Sequence, residues 1–179
     1  MNIPALLQQQ RQFFRSQQTK DVSYRIEILK KLKEEIIARE QDVYDALKKD
    51  FKKPVFESFM SEYGLAISGI NLVLKNLKSW AKPKRVRPSM LTFPSTDYIY
   101  KEPYGTVLVI APWNYPFILA IEPIIMAVSA GNTVVLKPSE LTTHTSQLVS
   151  DIIQNVFGQE YVASVQGGIP VATKLLEQN

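Results

Sequence analysis

Apolar side chains recur at helical spacing through the first part of the chain. Between residues 21 and 50 they fall three or four positions apart, and lysine and glutamate occupy most of the remaining faces, as in an amphipathic helix. We predict one helix over 3–18, a long one over 21–50 and a third over 55–80. Asp21 is placed to cap the second helix, and Pro54 separates it from the third.

Short apolar runs replace the helical spacing after residue 96. Residues 97–101 alternate and predict a half-buried strand, whereas the run over 106–110 predicts a parallel strand covered on both faces. Two further strands are predicted over 133–136 and 161–165. The helices predicted between and after them are 118–130, 142–157 and 169–179. Strands that alternate with helices indicate an α/β fold built from βαβ units around a parallel sheet.

Three residues limit the helices of this second part. Pro123 is compatible with the helix over 118–130 only if it lies near the first turn. Gly131 is expected to end that helix, and Thr142 is a candidate N-cap for the helix that follows.

Charge is distributed unevenly along the chain. Residues 1–100 contain 18 lysines and arginines against 11 acidic residues, a net charge of +7, while residues 101–179 contain 3 against 6, a net charge of −3. The proline-rich stretch 81–96 is predicted to be an extended linker. Its basic cluster is compatible with a nucleic-acid patch. Single-strand binding, however, requires aromatic residues among the basic ones, and this cluster contains none. The favoured interpretation is a solvated connector, and we expect no nucleic-acid partner. The cluster consists of Lys82, Lys84, Arg85 and Arg87.

The chain contains no cysteine and one histidine, His144. Disulfides, thiolate metal sites and a cysteine nucleophile are therefore excluded within these 179 residues, and a typical zinc site cannot form. The N-terminus lacks the basic and apolar regions of a signal peptide. No apolar run reaches the ~20 residues that a membrane helix needs, so we expect a soluble cytoplasmic protein without a metal site.

Residues 102–140 form the most informative stretch, EPYGTVLVIAPWNYPFILAIEPIIMAVSAGNTVVLKPSE. A strand, a turn, an apolar helix and a second strand follow one another, and each strand ends in polar side chains. Asn114 follows the first strand, and Lys137 and Glu140 lie at the end of the second. Ligands of open α/β sheets bind at the carboxyl ends of the strands, so these residues are the candidates for a binding site.

Each candidate has a functional and a structural interpretation. The side-chain amide of Asn114 can stabilise negative charge on a carbonyl oxygen, but turn asparagines commonly bond their own backbone, which the residues alone favour. Lys137 can donate to the hydroxyls or phosphates of a nucleotide. With Glu140 it can equally form an exposed ion pair that contributes little to stability, and the residues alone again favour this second interpretation.

The strings PWNYPF and AGNTVVLKPSE, separated by a helix, resemble those of NAD(P)-dependent aldehyde dehydrogenases. The stretch EPYGTVLVIAPWNYP is most similar to the class 3 branch, whose members act on fatty and aromatic aldehydes. The resemblance covers almost the whole chain from about Asp21 onward. It implies an N-terminal helical segment (1–80), a linker and strand (81–101) and the first, incomplete part of a Rossmann-like dinucleotide-binding domain (102–179).

The resemblance also implies an activity, the oxidation of an aldehyde to a carboxylic acid with NAD(P)+ through a cysteine thiohemiacetal. By analogy with the family, Asn114 is the oxyanion donor, Lys137 and Glu140 bind the adenosine ribose, and Tyr115 lines the aldehyde pocket. A carboxylate beside the ribose favours NAD, although the family also admits NADP. Class 3 enzymes form dimers, so a homodimer is expected for the full-length protein.

One departure from the family is severe. The catalytic cysteine, the glutamate base and the glycine turn for the pyrophosphate lie, in the family, beyond the segment that this chain covers. Glu122, Glu140 and Glu160 do not match the base. We therefore expect the 179-residue chain to be a truncated portion of such an enzyme and to be inactive alone. The alternative is a non-catalytic nucleotide-binding or protein-interaction module.

Overall fold

Residues 2–178 are described by a computed structural model, so Asn179, the last residue of the helix predicted over 169–179, lies outside the described residues. The α-helices within that range are α1 (Ile3–Arg15), α2 (Val22–Ala38), α3 (Glu40–Phe51), α4 (Val55–Ser58), α5 (Gly64–Trp80), α6 (Ile118–Ala130), α7 (Thr143–Val156) and α8 (Ile169–Leu176). The strands are β1 (Lys84–Val86), β2 (Asp97–Ile99), β3 (Thr106–Ile110), β4 (Thr133–Lys137) and β5 (Val162–Ser164). A short 3₁₀ helix (Gln18–Lys20) follows α1, and a π-helical turn (Phe59–Tyr63) joins α4 to α5.

The main sheet is parallel and has the order β3–β4–β5. All five residues of β4 are buried, and they alternate between the two faces, since Val134 and Leu136 join one apolar cluster and Val135 joins another. The first cluster lies beneath α6 and α7, and the second beneath α1 and α8. Helices therefore cover both faces of a parallel sheet, which confirms the predicted α/β fold with βαβ units.

The larger cluster joins the helices of the first 80 residues to the sheet. Its fully buried members include Leu32 of α2, Ile70 of α5, Ile121 of α6 and Ile152 of α7. The helical layer and the sheet thus share one core. The division of the chain into domains at 1–80, 81–101 and 102–179 stays a prediction.

Strand β3 is less covered than its apolar sequence predicts. Its first four residues are only half-buried and Ile110 is exposed, so the prediction of a strand covered on both faces was wrong. Within residues 2–178, β3 pairs only with β4 and forms an edge of the sheet. A cleft lined by Phe14, Tyr104 and Leu175 leaves part of its outer face open.

The prediction of a single helix over 21–50 was also wrong. The chain turns at Arg39 (φ −103°, ψ 17°) and α3 begins at Glu40. The break lets α3 pack along α7 while α2 packs against both α5 and α7. The side chain of Asp21 accepts from the amide of Ser23 over 2.8 Å, which confirms the predicted cap of α2.

The helix predicted over 55–80 contains a π-helical turn that the sequence pattern does not show. The amide of Gly64 donates to the carbonyl of Phe59 across this turn. A Cβ atom at residue 64 would lie 2.8 Å from the same carbonyl oxygen, closer than packed atoms approach. Gly64 therefore allows the extra residue of the turn, which brings Glu62 into the interior.

Part of the predicted linker is a strand. Within 81–96, β1 pairs antiparallel with β2, and Lys84 lies opposite Ile99. The two-stranded ribbon exposes about half of Tyr98 and of Ile99, so β2 is more exposed than the predicted half-buried strand over 97–101. In the described part of the chain, β1 is the only strand that pairs with β2.

Helix α6 buries seven of its thirteen residues. Glu122, Met126 and Ala130 are exposed along one side, so the burial predicted from its apolar composition is only partly observed. Pro123 lies inside α6 beyond the first turn, so its predicted position was wrong. Complete burial of neighbours such as Ile121 and Ile125 compensates for the hydrogen bond that the proline cannot donate. Gly131 ends the helix in the left-handed conformation (φ 94°), which confirms its predicted role. Within residues 2–178, no helix combines the length and the apolar character that crossing a bilayer requires.

Candidate functional site

The turn after β3 carries Asn114 at the carboxyl end of the sheet. It begins with Ala111, whose amide donates to the carbonyl of Lys137 over 3.0 Å. Tyr115 follows in the left-handed conformation (φ 53°), which is strained for a residue with a Cβ atom. Asn114 is exposed, and within residues 2–178 its side chain has no hydrogen-bond partner. Its amide group is therefore open to an external acceptor.

Two aromatic side chains flank Asn114. Trp113 is 56% exposed and Tyr115 is 46% exposed, so neither is part of the apolar core. The ring of Tyr115 lies beneath the ammonium of Lys53, 4.7 Å from the ring centroid, a cation–π contact. The turn thus presents aromatic surface on both sides of a free amide.

A buried carboxylate supports this turn from below. Glu62 is 0% exposed, and its Oε2 accepts from the amides of Phe117 (2.8 Å) and Ile118 (3.4 Å). Its Oε1 accepts from the ammonium of Lys53 over 2.5 Å. Glu62 therefore neutralises the positive end of α6 and holds the start of this helix, three residues after Asn114.

Sequence reasoning missed Glu62 because the backbone amides that it binds, those of Phe117 and Ile118, lie more than fifty residues away. A signal was nonetheless present in the spacing. Glu62 precedes Ala66 and Ile70 at four-residue intervals, and both belong to the buried stripe of α5. A carboxylate on a buried stripe is rare unless it is paired, so this position could have been noticed.

The second pair of predicted residues lies at the end of β4 and in the loop after it. Lys137 is only 4% exposed, and its ammonium is hydrogen-bonded to Oε2 of Glu140. This hydrogen bond lowers the pKa of the Glu140 carboxyl, which keeps the carboxylate ionised. Lys137 is buried more deeply than the lysine of an exposed surface ion pair, although Glu140 itself remains 40% exposed.

A cleft of about 330 Å³ opens beside this pair. Its polar lining includes Ser139, Glu140, Thr143, Ser146 and Gln166. Hydroxyl, amide and carboxylate groups of this kind match the donors and acceptors of a ribose. The cleft and the Lys137–Glu140 pair therefore fit the sugar of a nucleotide.

Strand pairing brings the two groups of predicted residues to the same edge of the sheet. Ile110, the last residue of β3, is paired with Lys137, the last residue of β4. Lys137 and Glu140 contact each other directly, whereas Tyr115 contacts Lys53 rather than either of them. In residues 2–178 no group of three or more histidine or carboxylate side chains is arranged to hold a metal ion, and His144 is exposed.

The sequence model that describes the aldehyde dehydrogenase family matches residues 2–179 of this chain. The chain belongs to the aldehyde dehydrogenase family. It is 44% identical over 164 residues to 4,4'-diaponeurosporen-aldehyde dehydrogenase of Staphylococcus aureus, covering 92% of this chain and 36% of that protein. Aldehyde dehydrogenase family 3 member I1 of Arabidopsis thaliana is 39% identical over 173 residues, covering 97% of this chain and 32% of that protein. The class 3 resemblance is thereby confirmed, and the chain spans about a third of the length of these relatives.

Two solved structures have the same fold as this chain. The substrate-bound structure of AldH from Staphylococcus aureus superposes with a TM-score of 0.95 at 43% identity, covering 98% of this chain and 39% of that chain. An NADP-dependent enzyme from E. coli superposes with a TM-score of 0.84 at 20% identity, covering 98% of this chain and 36% of that one. The second similarity concerns the fold alone.

Proposed function

We propose that this chain forms the N-terminal portion of an NAD(P)-dependent aldehyde dehydrogenase of the class 3 type, which oxidises an aldehyde to a carboxylic acid. One observation carries the proposal. In a chain of the aldehyde dehydrogenase family, the Asn114 turn and the Lys137–Glu140 pair follow adjacent parallel strands whose ends are joined by a backbone hydrogen bond. This arrangement supports the proposal that the carbonyl-binding group and the group that binds the adenosine ribose lie at the same edge of one sheet.

Asn114 is proposed to act as the oxyanion donor. Its side-chain amide is exposed, and no hydrogen bond within residues 2–178 competes for it. The amide is already presented at the turn before the substrate arrives, so it is available when negative charge develops on the aldehyde oxygen. Tyr115 is proposed to line the aldehyde pocket, because it follows Asn114 in the turn and its ring is half-exposed.

Lys137 and Glu140 are proposed to bind the adenosine ribose of the cofactor. The ammonium of Lys137 can donate to a ribose hydroxyl, while the carboxylate of Glu140 can accept from one. A glutamate carboxylate is ionised near neutral pH, so Glu140 carries a negative charge that repels a 2′-phosphate. NAD is therefore the proposed cofactor, with NADP admitted less readily, and when bound it supplies the hydride acceptor.

The chain of residues 1–179 is proposed to be inactive by itself, because it contains no cysteine to attack an aldehyde. The activity belongs to a natural polypeptide that carries these residues together with a cysteine and a glutamate base. Such a polypeptide is proposed to form a homodimer, as the class 3 resemblance implies, and is also proposed to act in the cytoplasm. The alternative, a non-catalytic nucleotide-binding or interaction module, requires that the natural polypeptide lack a nucleophile.

The test is an assay of the natural gene product with a fatty or an aromatic aldehyde and NAD+, followed at the absorbance of NADH. We expect turnover, and we expect none from residues 1–179 alone. If the natural gene product has no cysteine and binds nucleotide without turnover, the non-catalytic module would be favoured instead. Turnover by residues 1–179 alone would contradict the proposed need for a cysteine.

A further inference from the structure

We infer that Glu62 and Lys53 are positioning residues for catalysis, because together they hold the turn that carries Asn114. This pair is called the turn clamp below. The inference rests on the proposed function, in which the side-chain amide of Asn114 is the oxyanion donor. It assigns a role to Glu62, on the π-helical turn, and to Lys53, just after α3. Both lie far from Asn114 in the sequence.

The turn clamp contacts both the side chain and the backbone that follow Asn114. Lys53 lies over the ring of Tyr115, the next residue, with its ammonium 4.7 Å from the ring centroid. Glu62 accepts from the amide of Phe117, three residues after Asn114, over 2.8 Å. The salt bridge of 2.5 Å between the two clamp residues joins these contacts into one unit.

The turn clamp is charged but almost fully withdrawn from solvent, since the Glu62 side chain is 0% exposed and the Lys53 side chain is 9% exposed. A buried carboxylate is tolerated only when its oxygens have partners. Both oxygens of Glu62 are used, one by the ammonium and the other by two backbone amides. Removing either residue would leave the remaining charge buried without its partner.

The strained conformation of Tyr115 makes such support necessary. A tyrosine with φ 53° persists only when surrounding contacts determine its conformation more strongly than local strain opposes it. The turn clamp supplies contacts on the ring of Tyr115 and on the backbone two residues later. Without it we expect Tyr115 to relax toward negative φ, which would redirect the peptide between Asn114 and Tyr115 and change the aim of the Asn114 amide.

This role predicts a specific kinetic effect in the natural aldehyde dehydrogenase. A misdirected Asn114 amide weakens binding of the developing oxyanion, so kcat falls, whereas the KM for NAD+ stays constant because Lys137 and Glu140 lie on another strand and loop. Glu62→Gln is the principal variant, since it keeps an acceptor for the Phe117 amide and removes the charge that pairs with Lys53. We expect kcat to fall about tenfold or more.

A double-mutant cycle separates positioning from general loss of structure. If Glu62 acts through Asn114, then Glu62→Gln lowers kcat in the natural sequence but changes it by less than about twofold in an Asn114→Ala background. Equal losses in both backgrounds would overturn the inference, as would unchanged kcat in Glu62→Gln alone. Lys53→Arg keeps a buried cation and is expected to retain most of the activity, whereas Lys53→Met is not.

Controls and an activity-independent readout complete the test. Glu57→Gln and Lys48→Met change exposed residues of the same types and should leave kcat unchanged. Hydrogen exchange at the amides of Phe117 and Ile118 should accelerate in Glu62→Gln and not in the controls.

The proposed function and the turn clamp can fail separately. If the natural protein oxidises no aldehyde, or if Asn114→Ala keeps full activity, the proposed function fails, while the exchange rates still test whether the clamp holds the turn. Unchanged hydrogen exchange at these two amides in Glu62→Gln would overturn the clamp itself. If Glu62→Gln does not fold, Lys53→Met takes its place in the double-mutant cycle with Asn114→Ala.

Discussion

The amide nitrogen of Ala111 lies 3.0 Å from the carbonyl oxygen of Lys137. This hydrogen bond continues the pairing of β3 and β4 one residue beyond the strands, because Ile110 is already paired with Lys137. The start of the turn that carries Asn114 and the end of the strand that carries Lys137 are therefore joined by this backbone hydrogen bond. A carbonyl substrate on one side and a nucleotide on the other would be aligned by the sheet rather than by mobile loops.

Replacing Asn114 by alanine tests the proposed oxyanion donor. We expect kcat of the natural enzyme to fall by about 10² to 10³, the usual cost of losing one such donor. The melting temperature should stay nearly constant, since within residues 2–178 the Asn114 side chain bonds to nothing. Steady-state kinetics and thermal unfolding measure the two effects, and Asn71→Ala, an exposed asparagine on α5, is the matched control. A large loss of stability with a small loss of kcat would assign Asn114 to the fold.

The ionisation of Glu140 provides a test of its pair with Lys137. The hydrogen bond from Lys137 lowers the pKa of the Glu140 carboxyl, so NMR titration of the carboxyl carbon should give a value below the ordinary one, about 4.3. In Lys137→Met we expect the pKa to rise toward that ordinary value. Because the pKa is lowered in the folded state, any stability that the pair contributes is present above the ordinary pKa and is lost as the pH falls through the lowered one. An unaltered titration in Lys137→Met would mean that the pair is broken in solution.

Asp50 supplies the cap that the sequence assigns to Thr142. Thr142 precedes α7 but makes no capping bond, whereas Asp50 accepts from the amides of His144 (3.2 Å) and Thr145 (2.8 Å). We expect Asp50→Ala to lower the free energy of unfolding by about 1–2 kcal/mol, as measured by urea denaturation. Asp45→Ala, an exposed change on the same helix, should alter it much less. Equal effects of the two substitutions would refute the capping role.

Tyr161 carries a hydroxyl that is buried without a hydrogen-bond partner in the described part of the chain. Its ring packs against Phe13, Tyr24 and Phe157, so phenylalanine should fit the same space. Because the unbonded hydroxyl opposes burial, we expect Tyr161→Phe to raise the free energy of unfolding by about 1 kcal/mol. Tyr98→Phe, on the exposed ribbon, should change it little.

Burial also raises the pKa of Tyr161, which predicts a dependence on alkaline pH. A raised pKa in the folded state means that the folded protein holds its proton longer than the unfolded one. The contribution of Tyr161 to stability is therefore complete below the ordinary tyrosine pKa of about 10 and is lost as the pH rises above it. The stability of Tyr161→Phe should decline less steeply there, and an identical decline in both proteins would argue against a buried, neutral hydroxyl.

Local sequence patterns were sufficient for much of this fold. The apolar runs gave the strands β3, β4 and β5, and the composition of α6 indicated its contribution to the core, because a parallel sheet and its covering helices leave a continuous apolar signature. The ends of helices were predicted where the deciding bond is local, as at Asp21 and Gly131. The proximity of the strand ends that carry Asn114 and Lys137 followed from parallel pairing alone.

The features that sequence reasoning missed depend on partners distant in the chain. The cap of α7 comes from Asp50, more than ninety residues earlier, and the support of the Asn114 turn comes from Glu62. The turn at Arg39 divides a continuous helical pattern because α2 packs on α5 as well as α7, whereas α3 packs along α7. Pro123 is tolerated inside α6 because neighbours such as Ile121 and Ile125 are buried. Apart from the position of Glu62 in line with the buried stripe of α5, these contacts leave no local pattern, since each is decided by tertiary packing.

Burial of Ile70 and Ile121 in one core means that the two halves of this chain are complementary pieces of a single folding unit. The loop between β1 and β2 is the natural place for a protease to cut, since Met90 and Leu91 are almost fully exposed there. A cut at this loop should leave the fragments associated through the core. Expressed separately, the same fragments should remain unfolded and regain the native structure only when mixed.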